Sequence, residues 1–115
     1  MDLLDTIRMY CLQKPGVTEE LPFGPDTLVF KVEGKMFAVV PLDREELSLT
    51  LKNTPEKNEE LRATYDQVVP GFHTNKKHWN TVYLDARLSA TDWQTWIDES
   101  YLLVLPKKKT PKKKV

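Results

Sequence analysis

Residues 73–80, His73-Thr74-Asn75-Lys76-Lys77-His78-Trp79-Asn80, concentrate most of the chemistry that this sequence offers. Both histidines of the chain fall here, with two lysines, two asparagines and a tryptophan. Lys76 and Lys77 bring positive charge, while Asn75 and Asn80 bring hydrogen-bond donors and acceptors. His73 and His78 can titrate near neutrality, and Trp79 has a face on which a base can stack. That mixture suits an anionic ligand such as nucleic-acid phosphate with a base nearby. The same residues also suit a solvated basic loop in which Trp79 anchors the core. Lys31 and Lys52 fall at outward strand positions, where they line a binding face or simply meet solvent.

Other chemistries find little to work with. His73 and His78 are five residues apart with no cysteine near them, which is not the spacing of a helical zinc pair, so no metal site is expected. No Gly-rich phosphate loop and no nucleophile elbow occur. Glu19-Glu20, Glu45-Glu46 and Glu59-Glu60 are adjacent pairs whose members point in different directions, so none forms a ready catalytic dyad. The single cysteine, Cys11, sits on an apolar helical stripe and reads as core. No cofactor is expected, and an enzyme using a loop histidine is the weakest of the readings.

The elements that must position this segment follow from periodicity. Leu3, Leu4, Ile7, Tyr10 and Cys11 recur at helical spacing behind Asp2, a candidate cap, and Lys14-Pro15-Gly16 ends the helix. Glu19–Phe23 is expected as a short edge strand, since Pro22 excludes a central one. Thr27–Val32 and Lys35–Val40 flank Glu33-Gly34, a two-residue hairpin connection. Simple pairing from Val32 and Lys35 sets Phe30 opposite Phe37 and Leu28 opposite Val39, all four facing the core. Thr27, Val29, Lys31, Met36 and Ala38 then face outward. Leu47–Lys52 alternates as a strand buried on one face. Thr54-Pro55 opens a second helix that runs to about Tyr65, with Leu61 and Tyr65 inward. Val68–Gly71 returns the chain to a fifth strand, Trp79–Leu84. Ser89 caps a last helix with Trp93, Ile97, Tyr101 and Val104 on one stripe, stopping at Pro106.

These elements predict an α+β, two-layer sandwich: a mainly antiparallel sheet of about five strands with helices on one face. The opposite face is left at least partly wet and is a candidate binding surface in its own right.

Net charge divides the chain. The formal total is zero, yet six of the 17 bases lie in Lys107–Val115, leaving residues 1–106 with 11 bases against 17 acids, a formal −6. We read residues 1–106 as one domain and residues 107–115 as a disordered lysine-rich tail, either a solubility aid or a non-specific arm for phosphates. The longest apolar runs, Met36–Val40 and Tyr101–Leu105, are far too short to span a membrane. An acidic start without a basic n-region, together with one cysteine, predicts a cytoplasmic protein.

Several blocks resemble a known family. Pro22-Phe23-Gly24-Pro25-Asp26-Thr27-Leu28-Val29-Phe30-Lys31-Val32 with Gly34-Lys35-Met36-Phe37-Ala38, then Pro70-Gly71-Phe72-His73 and Asn75–Val82, and finally Ile97-Asp98-Glu99-Ser100-Tyr101, look like the MmcQ/YjbR family over residues 1–105. The resemblance implies a bacterial protein with a fold similar to the bacterial frataxin CyaY, and a DNA-binding role. Carried over by position, it points to Lys76, Lys77, His78 and Asn80, with Lys31, Lys35 and Lys52 as sheet-face contacts. The expectation is therefore DNA as partner. The alternative is a module that binds a protein or a small anionic ligand on the open sheet face.

Overall fold

A computed structural model describes residues 2–71, 74–85 and 87–106. In chain order the elements are α1 (Leu3–Leu12), β1 (Val17–Glu20), β2 (Thr27–Val32), β3 (Lys35–Pro41), β4 (Ser48–Lys52), α2 (Pro55–Thr64), β5 (Val68–Pro70), β6 (Trp79–Tyr83) and α3 (Ala90–Val104). The strands form one antiparallel sheet in the order β1-β2-β3-β4-β6-β5. The expected α+β class holds, with six strands rather than five. The extra strand is β5, three residues long, which reads in sequence as a mere return of the chain. The first strand also begins earlier than expected, at Val17. Residues 21–24 instead close a turn, with Gly24 N–H donating to Leu21 O at 3.3 Å.

Helix starts follow from their caps. Asp2 Oδ1 accepts from Asp5 N at 2.9 Å, Thr54 Oγ1 from Lys57 N at 3.2 Å, and Ser89 Oγ from Asp92 N at 3.2 Å. Each satisfies an amide that the first turn leaves without a partner. The helices lie on one side of the sheet, with α3 across β3 and β4. Ile7 and Cys11 of α1, Leu61 of α2, and Trp93, Ile97, Tyr101 and Val104 of α3 meet Leu28, Phe30, Val32, Leu49, Leu51 and Val82 of the sheet in one core. Among the described residues, no helix is long and apolar enough to cross a membrane.

The β2–β3 hairpin turns at Glu33 and Gly34, both at positive φ (53° and 79°), the geometry that a two-residue hairpin turn demands. Val32 pairs with Lys35 as expected, but the register then shifts. Lys31 faces Met36, whereas Phe30 faces Ala38, so Phe37 is an extra residue in β3. This is a β-bulge. It corrects the simple pairing: Leu28 lies opposite Val40, Ala38 turns into the core beside Phe37, and Val39 joins the outer face. Ser100 of α3 explains why the bulge persists. Its hydroxyl donates to Phe37 O at 2.6 Å and accepts from Lys52 N at 2.9 Å. A buried carbonyl and a buried amide left over where β3 meets β4 both gain partners from one side chain.

Candidate binding site

The segment before β6 is stitched to α2 by side chains. Asn58, buried on the inner side of α2, donates to Lys77 O at 3.0 Å and to Asn53 O at 3.3 Å. Arg62, one turn further on, donates to Asn80 Oδ1 at 2.7 Å and also to Lys76 O. Asn80 donates to Asn58 O at 3.2 Å. Asn53 N–H reaches His78 O at 2.9 Å. Asn75 Oδ1 accepts from Lys77 N at 2.9 Å, and Asn75 O accepts from the amides of His78 and Trp79. The backbone of residues 75–80 is thereby fixed from both sides.

This network sorts the candidate residues. Asn80 is 2% exposed and points toward the helices, so both ends of its amide are engaged inside the protein. The Lys76 ammonium turns back onto Gly71 O and Thr74 O. Lys77 and Asn75 are exposed, and the Lys77 side chain has no partner among the described residues. His78 is half-buried. His73 lies outside the described residues, as does the lysine-rich tail.

Trp79 faces away from the helices and is nevertheless buried, at 9% exposure. It pairs with Lys52, whose ammonium sits 6.0 Å from the indole centroid, at the outer limit of a cation–π contact. Gly71 packs against it so closely that a Cβ there would come within 2.8 Å of Trp79 Cβ. Lys31 also faces outward, and it pairs with Glu20 Oε1 at 3.1 Å. Lys35 is exposed at the shoulder of the hairpin. Among the described candidates, Asn80 and the Lys76 ammonium are engaged within the protein. Lys77, Asn75 and Lys52 share one end of the sheet, and by register the β2–β3 hairpin that carries Lys31 and Lys35 closes at that same end, on the strands beyond β4.

The outer sheet face is not bare. Val29, Thr50 and Thr81 are buried there, and Thr50 and Thr81 share a hydrogen bond of 2.8 Å between their hydroxyls. A concavity of about 380 Å³ opens on this face. Thr27, Met36, Val39 and Thr50 come to it from three adjacent strands, Phe23 and Pro41 border it, Thr74 closes one side, and Asp43 and Arg44 stand at its lip 3.8 Å apart. None of these lining residues was a named site candidate, although Thr27 and Met36 were placed on the open face that the sequence offered as a binding surface, and Thr74 lies within the 73–80 segment. The stitching residues Asn58 and Arg62 were missed as well, although Asn58 stands at helical spacing from Leu61, and a polar residue on an inward stripe is a readable signal. Among the described residues, no three His, Cys, Asp or Glu side chains converge as metal ligands.

An antiparallel six-stranded sheet backed by three helices, with this pattern of loops, defines a known class of small α+β domain. The YjbR family model matches residues 12–103. The uncharacterized protein YjbR of Escherichia coli K12 is 35% identical over 98 residues, which span 85% of this chain and 83% of that protein. The uncharacterized protein YbdF of Escherichia coli O157:H7 is 35% identical over 103 residues, 90% of this chain and 84% of that one. Among solved structures, Deinococcus radiodurans protein DR2400, with its DUF419 domain, superposes with a TM-score of 0.87 at 40% identity, covering 96% of this chain and 83% of that one. A Pseudomonas syringae protein superposes with a TM-score of 0.75 at 27% identity, covering 90% of this chain and 99% of that one. The chain belongs to the YjbR family.

Proposed function

We propose that this YjbR domain is a binding module and that its ligand sits on the outer face of the sheet. The observation that carries the reading is the concavity of about 380 Å³ walled by β2, β3 and β4. Its size falls within the about 300–1,000 Å³ typical of ligand pockets, and Phe23, Met36, Val39 and Pro41 line it beside three threonines, Asp43 and Arg44. A fragment screen followed by amide chemical shifts tests this. Hits are expected to move the amides of Met36, Val39 and Thr50. Hits confined to other surfaces overturn the reading.

Nucleic-acid binding is the second reading, and one observation favours it: Lys77 extends into solvent beside the exposed Asn75, with Lys52 at the same end of the sheet. Against it stand the −6 of residues 1–106 and the internal use of Lys76 and Asn80. Anisotropy titrations of labelled DNA, with the full chain and with a chain ending at Leu105, separate the two readings. Binding through the six tail lysines alone disappears on truncation and falls steeply with salt. A truncated chain that still binds at elevated salt, and loses that binding in Lys77→Ala, makes the domain itself a nucleic-acid reader.

A further inference from the structure

We infer that the concavity on the outer sheet face takes a small neutral aromatic molecule, its ring held between Phe23 and the Met36–Val39 floor; the inference rests on the open-face reading above. The bulge decides which side chains line the recess. Regular alternation in β3 sends residues 36, 38 and 40 outward, but Phe37 and Ala38 both turn inward, so the next outward side chain after Met36 is Val39. The outward residues of β3 are then Met36, Val39 and Pro41, opposite Lys31, Val29 and Thr27 of β2, and Met36, Val39, Pro41 and Thr27 line the recess. Ser100 holds this arrangement from behind.

The lining then defines the ligand. Phe23 stands at the margin, 67% exposed, on the turn that Gly24 closes onto Leu21. An aromatic ring left so open beside an apolar recess gives a stacking partner to another ring. Met36 adds a polarizable thioether, which favours aromatic contacts over aliphatic ones. The lip carries no excess of positive charge: Arg44 lies 3.8 Å from Asp43, and on its other side it borders a second recess with Glu45 and Glu46. A carboxylate ligand would meet these acids as well as the guanidinium, so a neutral ligand is preferred over an anion. Thr27 at the margin of the floor fits one hydrogen-bonding group on the ring.

Titration of the full 115-residue chain with indole, benzoate and cyclohexanol, followed by amide chemical shifts, tests the inference. Indole is expected to shift Met36, Val39 and Thr50 at concentrations where the other two leave them unmoved. Phe23→Ala, at an exposed position that leaves the core intact, is expected to weaken indole binding by roughly threefold to tenfold. Equal or stronger responses to benzoate or cyclohexanol at these amides, or indole binding untouched by Phe23→Ala, overturn the ligand class while the open-face reading stands. Responses to all three probes confined to other surfaces overturn both.

Discussion

Asn80 is the residue where chemical type and role part most clearly. Its amide belongs to the set that could touch a base, yet it faces the helix layer and joins Arg62 to the backbone of α2. Removing it leaves a guanidinium and a buried carbonyl short of partners. Asn80→Ala is therefore expected to lose about 1–3 kcal/mol in urea unfolding, whereas Lys77→Ala should stay within about 0.5 kcal/mol. The direction of Asn80 follows from strand alternation once the strand is known; its partners do not, because they arrive from α2, 18 and 22 residues earlier. Cys11 is the opposite case, legible from sequence as core. Burial pushes its thiol from 9.0 up to about 12. The folded chain thus holds a proton that the unfolded chain releases. Its contribution to stability is complete below about pH 9 and falls as pH rises toward 12, by up to about 1.4 kcal/mol per pH unit. Unfolding free energies of the native chain and Cys11→Ala, compared across pH 8–11, should converge as the solution becomes alkaline.

At the scale of elements, the hairpin shows what local sequence can and cannot specify. The turn is encoded by Glu33-Gly34 and was readable, as were both strand spans to within a residue. The bulge was not, because alternation in Lys35–Val40 is equally consistent with a regular ladder. What selects the shifted register is a hydroxyl on α3, 63 residues away. Ser100→Ala is expected to destabilise by about 1–3 kcal/mol, since it orphans Phe37 O and Lys52 N together. The amides of β3 and β4 should then exchange hydrogen faster than those of the β5–β6 pair. The segment between β5 and β6 has a similar tight point. Gly71→Ala drives a methyl into Trp79 and should cost more than the few tenths of a kcal/mol of an ordinary surface change, seen as a lowered Tm.

For the whole molecule, both sheet edges are blunted. The outer strand β1 is four residues long and carries Glu19 and Glu20, and the other edge, β5, is three residues long and ends in Pro70. Short, charged or proline-bearing edges resist pairing with another chain. The molecular weight measured by light scattering is expected to stay that of one chain as concentration rises. Fold class was legible because helix and strand periods rarely imitate each other; seven of the nine elements follow from sequence, β1 was set too late and β5 was read as a return of the chain. The concavity was not, since its lining comes from three strands that meet only in space, and Val39 faces it only because of the bulge. The Ser100 contact also sets a clock on synthesis. At roughly 5–20 residues per second, the 63 residues from Phe37 to Ser100 take roughly 3–13 s to add. For those seconds a nascent hairpin exists whose registering partner has not been made, and the sheet acquires its final shape only after Ser100 has been added.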